Sequence, residues 1–186
     1  MARRGHDPPF HGILNLNKPK GATSFAMVTL VRRLTGLRRV GHAGTLDPIA
    51  EGVLPILLGQ ATRVVEYLVD QPKVYLTTLR IGQATDTYDA EGAVTVTAAI
   101  EVECGRGAYV RTLAHDIGLR LGCYAHLAAL TRLRAGPFGI EDAVTPEDLR
   151  QLALAGTWQD VLWATDTPLQ SWRAAILGPQ HTRAAR

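Results

Sequence analysis

Gly41-His42-Ala43-Gly44-Thr45-Leu46-Asp47-Pro48 is the most densely punctuated stretch of the chain. Its two glycines let backbone approach a ligand closely, and Pro48 stiffens the chain just after a carboxylate. A loop so built presents Asp47 to a cleft. The same residues also suit an ordinary turn in which Asp caps its own backbone. Taken alone, the stretch leaves both readings open.

The surroundings are regular. Upstream, Gly12 to Leu16 is a short apolar strand and Asn17 to Gly21 a Pro- and Gly-punctuated turn. Thr23 or Ser24 then caps a helix in which Phe25, Val28, Val31 and Leu34 recur at helical spacing, and Gly36 stops it. Downstream, Gly52 to Leu58 reads as a buried strand, Ala61 to Val69 as a helix and Lys73 to Ile81 as a strand. A turn over Asp86 to Gly92 leads into an alternating strand through Val94, Val96, Ala98, Ile100 and Val102. Tyr109 to Leu121 is a helix with Val110, Leu113, Ile117 and Leu121 on one stripe. Ala125 to Leu133 is a further apolar stretch, and Thr145-Pro146 opens a short helix to Leu154. Strands and helices mix without strict alternation, which predicts an α+β fold on a largely antiparallel sheet with flanking helices.

With 46% hydrophobic and 20% charged residues, the chain has the composition of a packed globular protein and not of a disordered one. Its 186 residues suit one domain, expected over residues 11–170, between a loose tail at 1–10 and a frayed one at 171–186. The net charge of +3 is mild, and its kind says more: the only lysines are Lys18, Lys20 and Lys73, the rest being arginine. Arginine presents a planar fork that matches phosphate and stacks on bases. Cys104 and Cys123 lack CxxC spacing, and the six histidines show no ligand spacing with them, so no metal site is expected. No apolar run suits a membrane span. A cytoplasmic, monomeric protein is the expectation.

Two further clusters can carry chemistry. Gly107-Ala108-Tyr109-Val110-Arg111-Thr112 is a glycine turn opening a helix, with Arg111 in the first turn, where the helix dipole disfavours a cation. A compensating anion or plain solvation would each answer that. Lys73-Val74-Tyr75 starts a strand, and Tyr75 suits either core packing or stacking on a base. Nucleotide-fold glycine motifs, HExxH and GxSxG are absent from the sequence, which points away from those cofactors and nucleophiles.

Together these blocks resemble the TruB family of tRNA pseudouridine synthases. The resemblance covers roughly residues 10 to 140 in one order: Gly12 to Ser24, Gly41 to Pro48, Gly52-Val53-Leu54-Pro55, Gly59 to Arg63, Lys73-Val74-Tyr75, Gly82 to Asp89, Cys104 to Gly118 and Ala125 to Gly136. It implies a pseudouridine synthase-like catalytic domain. It also implies cofactor-free isomerisation of a uridine to pseudouridine, at uridine 55 of the tRNA T-loop, with the tRNA T-arm as partner. By resemblance Asp47 is the catalytic carboxylate, Tyr75 packs on the target base and Arg111 pairs with Asp47. His42 is linked to flipping the base out, and Leu130 walls the pocket. Lys18, Gly44, Thr45 and Leu46 are expected among the substrate-binding residues.

The chain departs from the family in one internal place. Family members carry a long segment between the turn at Gly92 and the strand leading to Cys104, with a PPxYSAxK-like motif. Here Val94 to Ala99 runs almost straight into that strand. Room for the C-terminal PUA domain is also lacking after about residue 170. The chemical residues are in place while much of the RNA grip is not, so the alternative is a relative that binds or remodels tRNA without turnover. The shortened sheet is expected to leave an exposed edge.

Overall fold

A computed structural model describes residues 10–82 and 96–171. The expected turn at Asp86 to Gly92, the strand residue Val94 and most of both expected tails lie outside the described residues.

Strand β1 (Gly12–Lys18) pairs along its whole length with β3 (Glu51–Leu58), antiparallel, from Gly12 opposite Leu58 to Lys18 opposite Gly52. Both are covered on both faces, and β3 is accordingly a near-continuous apolar run, whereas β1 also buries Asn15 and Lys18. Odd and even positions feed two cores. Leu14, Leu16, Leu54, Ile56 and Leu58 face one core, and Ile13, Val53 and Leu57 face the other. Helix α1 (Ser24–Thr35) covers the first face. Its Thr23 side chain accepts from the Ala26 N–H, and Gly36 ends it in the left-handed region at φ 73°. Of the expected stripe, Val28 and Val31 are buried and Leu34 packs against the core, joined by Met27 and Leu30, while Phe25 is exposed.

A short strand β2 (Val40–His42), not expected from the sequence, adds to β3. After β3 the expected helix divides into a 3-10 turn over Gly59–Val64 and a short α2 (Val65–Val69). Strand β4 (Lys73–Ile81) has the expected bounds and pairs antiparallel with β5 (Val96–Cys104) and β6 (Ala125–Ala135). Helix α3 (Val110–Arg120) lies over β6 on Val110, Ala114 and Gly118; of the predicted stripe Val110 is buried and Ile117 half-buried, while Leu113 and Leu121 are exposed. Small residues win because the helix sits close: a Cβ on Gly118 would stand 2.3 Å from the Ala125 nitrogen.

Strand β7 (Phe138–Gly139) folds back on β6 through Gly136 and Pro137. Helix α4 (Pro146–Ala155) starts with a full Thr145–Asp148 capping box. A two-residue β8 (Leu162–Trp163) pairs with β1. The eight-stranded sheet runs β5-β4-β6-β3-β1-β8 and is mixed: all pairs between named strands are antiparallel except β3 with β6. That parallel contact is only two residues long, Glu51 opposite Thr131 and Gly52 opposite Arg132. It joins a β1–β3 half to a β4–β6 half. The α+β expectation holds, with the sheet largely antiparallel.

Candidate active site

The loop that follows β2 crosses over this seam, and the core fixes its course. Ala43 donates to the Pro55 carbonyl, and Gly21 donates to the Pro48 carbonyl. Ser24, expected as a possible helix cap, instead holds the loop. Its hydroxyl donates to the Leu46 carbonyl at 3.0 Å and accepts from the Leu46 N–H at 2.9 Å. Gly44 adopts φ 85°, which a side chain disfavours, and Ala50 donates to the Asp47 carbonyl to close the turn. Leu46 is buried as the loop's anchor, and the adjacent Asp47 carboxylate is left 38% exposed.

Asp47 faces a cleft of about 400 Å³. Gly44, Thr45 and Leu46 line it from the loop, Tyr75 from β4, Leu130 and Arg132 from β6, and Tyr109 and Arg111 from the start of α3. The Arg111 Nε stands 3.0 Å from Asp47 Oδ2. That carboxylate is the anion that the misfit cation at the α3 N-terminus called for, since the first turn of α3 holds no acid of its own. The pair is solvent-facing, so its contribution to stability is small and its consequence is aim. Tyr75 is half-buried and Leu130 buried, which makes an apolar wall opposite a charged rim.

Two expected substrate-binding residues sit elsewhere. Lys18 is fully buried, and its ammonium donates to the Pro19, Ala22 and Ala50 carbonyls at 2.9, 2.8 and 2.5 Å. With its three donors so placed, it ties the turn between β1 and α1 to the far end of the Asp47 loop. Burial, then the Arg132 guanidinium, pushes it below the usual lysine range, while Glu51 and Asp47 pull the other way. His42 is on β2 opposite Ile56 and does not line the cleft. Burial and Arg132 lower its pKa, and its Nδ1 is buried without a hydrogen-bond partner.

Arg132 is a functional candidate that the sequence motifs do not single out. It is 1% exposed, donates from Nε to the Val53 carbonyl at 2.6 Å and reaches the Gly44 carbonyl at 3.3 Å. A usable signal existed: Arg132 is two residues from Leu130 on one strand, hence on the same face. Lys73, two residues before Tyr75, is likewise buried and donates to the Leu68, Val69 and Gln71 carbonyls. Among the described residues, no group of three or more His, Cys, Asp or Glu is placed to hold a metal ion. None of their helices is long and apolar enough to cross a membrane.

Known proteins share this sequence and this geometry. Residues 32–105 match the TruB family pseudouridylate synthase N-terminal domain, and residues 111–170 match the tRNA pseudouridylate synthase B C-terminal domain. A tRNA pseudouridine synthase B of Syntrophotalea carbinolica is 36% identical over 77% of this chain and 70% of that protein. The chain belongs to the TruB family. A second relative, the tRNA pseudouridine synthase B of Geobacter sulfurreducens, is 33% identical over 94% of this chain and 81% of its own length.

Solved structures agree with that membership. A chain of the archaeal box H/ACA sRNP Nop10-Cbf5 complex superposes with a TM-score of 0.75 at 31% identity, over 85% of this chain and 61% of that one. A chain of an H/ACA RNP bound to a substrate RNA containing 2'-deoxyuridine gives 0.74 at 29% identity, over 84% and 60%. This TruB-family chain thus spans about three-fifths of the length of those solved chains. The Syntrophotalea alignment is 213 positions long while taking in only 77% of these 186 residues. That relative therefore has residues inside the matched region with no counterpart here, as the missing internal segment predicted.

Proposed function

We propose that this TruB-family chain isomerises a uridine of tRNA to pseudouridine in the Asp47 cleft, and that its target is uridine 55 of the T-loop in the T-arm. The observation that carries the reading is the Arg111–Asp47 contact of 3.0 Å at the mouth of a cleft walled by Tyr75 and Leu130. Its relatives named tRNA pseudouridine synthase B support the same activity.

The reaction has a simple balance. The bond from ribose C1′ to uracil N1 breaks, a bond from C1′ to C5 forms, the C5 proton leaves and N1 gains one. Nothing is oxidised or reduced, so positioned side chains suffice. Extruding the base from a folded loop costs a few kcal/mol, and stacking it on an aromatic returns about 1–3 kcal/mol. Tyr75 is the ring placed to do so, with Leu130 as the second wall. Asp47 supplies the carboxylate at the reacting centre, and the fork of Arg111 fixes its direction. Gly44, Thr45 and Leu46 bring backbone against the substrate, and the exposed arginines supply salt-sensitive phosphate contacts.

The test is tritium release from C5-labelled uridine in a tRNA or T-arm transcript. Release is expected from the wild type and not from folded Asp47→Ala. A transcript with the T-loop uridine replaced by cytidine should release no tritium from that site. Equal release from wild type and Asp47→Ala would refute the assignment.

A further inference from the structure

Asp47 reaches its cleft on a loop whose backbone is held from two directions. On the side of β1, α1 and β3, the Pro55 carbonyl accepts the Ala43 N–H, Ser24 brackets Leu46 and Gly21 donates to the Pro48 carbonyl. From β6, among the described residues, one side chain reaches the loop backbone: Arg132, whose Nη2 donates to the Gly44 carbonyl at 3.3 Å. Nε of the same guanidinium donates to the Val53 carbonyl of β3 at 2.6 Å. Gly44 lies directly against it, since a Cβ there would stand 3.8 Å from Arg132 Nη1. The backbone of Arg132 takes part in the short β3–β6 contact, opposite Gly52, and also stands opposite Tyr75 on β4. One residue thus touches the seam, the loop and the pair of strands that carries Tyr75 and Leu130.

The type of side chain matters here. It is 1% exposed, and among the described residues no carboxylate lies within ion-pair range of it. Burying a charge is costly unless hydrogen bonds compensate it, and a plain strut between two strands needs no charge. What a guanidinium adds is a planar fork, which donates to carbonyls of two different segments at once in one fixed geometry. We propose that Arg132 is a positioning residue: by holding the Val53 and Gly44 carbonyls on one fork it fixes the Asp47 loop against β3, and so sets the reach of Asp47 across the cleft to the wall of Tyr75 and Leu130. Leu130 is two residues before Arg132 on the same face of β6, so the wall is kept in the same frame. This assignment rests on the reading of the cleft as the uridine site.

Three variants separate aim from mere support. Arg132→Met releases both carbonyls and is expected to lower kcat for a T-arm transcript roughly 100-fold, the scale of a misplacement of about 1 Å near the reacting atoms. KM should stay within about threefold, because the fork aims Asp47 and does not grip RNA. Arg132→Lys keeps the charge without the fork, so its kcat should remain roughly tenfold or more below wild type. Thr131→Val removes a different side-chain contact across the same seam, to Glu51 at 3.3 Å, and should leave kcat unchanged. A readout without turnover comes from protein labelled with carbonyl-13C glycine and 15N threonine. It shows the two Gly–Thr peptide bonds of the sequence, Gly44–Thr45 and Gly156–Thr157. The Gly44 carbonyl resonance should move when Arg132 is replaced, while that of Gly156, which ends α4, should not. If Arg132→Met does not fold, Arg132→Lys decides on both readouts. Full activity of Arg132→Lys, a loss in Thr131→Val as large as in the Arg132 variants, or an unmoved Gly44 resonance would overturn the inference. A wild type without turnover would refute the proposed activity and leave the resonance to judge Arg132 alone.

Discussion

Strands β1 and β3 bury side chains on both faces, from Ile13 to Leu16 and from Val53 to Leu58, whereas no position along β5 is fully buried. The β1–β3 half pins the Asp47 loop through Ser24, Gly21, Pro55 and the ammonium of Lys18. The β4–β6 half brings Tyr75, Leu130 and Arg132, and α3 brings Arg111. Among the described residues, β5 pairs only with β4, which leaves its outer edge open as the shortened sequence implied. The cleft lies where the two halves meet. One half fixes the Asp47 carboxylate by packing, and the other, whose outer strand β5 is open, supplies the groups around it. A mutation's effect should therefore depend on which side of the seam it strikes.

The seam itself is the place to break that arrangement. Gly52 has φ 105°, and a Cβ there would lie 2.3 Å from the Arg132 carbonyl oxygen. Gly52→Ala should cost roughly 4 kcal/mol or more, among the larger single-residue effects. A thermal melt should show a fall on the order of 10 °C. An unchanged melt would mean that the two halves are not held by this contact. Within the buried half, Lys18→Met leaves three loop carbonyls without their donor, and a loss of roughly 2 kcal/mol is expected by chemical denaturation.

On the open side the pattern should reverse. Arg111→Ala removes a solvent-facing partner, so the melting temperature should hardly change. Its kcat in the tritium assay should nevertheless drop about 100-fold, because Asp47 loses its aim. A large loss of stability with little loss of rate would contradict the division. The smallest effect concerns His42. Its folded pKa is below the usual histidine value, through burial and then Arg132. Below about pH 6.5 the unfolded chain takes up a proton that the folded one resists, so stability should fall as pH drops from there toward the lowered value. His42→Gln should flatten that part of the stability–pH curve, and an identical slope would assign the acid sensitivity elsewhere.

Local grammar was legible where the chain itself supplies the physics. Thr23 and Gly36 bound α1, Thr145 and Pro146 open α4, and the bounds of β4 follow from its β-rich run alone. Asp47, Tyr75 and Arg111 stand out through the ordered motifs, and the dipole misfit of Arg111 admits either an anion or plain solvation until the fold brings Asp47 to it. Side-chain placement was less legible. Phe25 sits at the right period yet faces solvent, and α3 packs on alanine and glycine because close approach to Ala125 outweighs leucine area. β2 and β8 are too short to leave a periodic trace.

The sequence by itself determined the helix ends, the long strands, the family blocks and the carboxylate, since these rest on residues near one another in the chain. Only the tertiary structure decided which cations are tools and which are struts. Lys18 and Lys73 spend their ammonium groups on carbonyls, Arg111 meets Asp47, and Arg132 lies buried at the cleft, donating to the Val53 and Gly44 carbonyls. A charged side chain reads the same in sequence whether it is solvated, buried or paired. Its role is set by partners up to 88 residues away, as between Arg132 and Gly44, that only the closed sheet brings together.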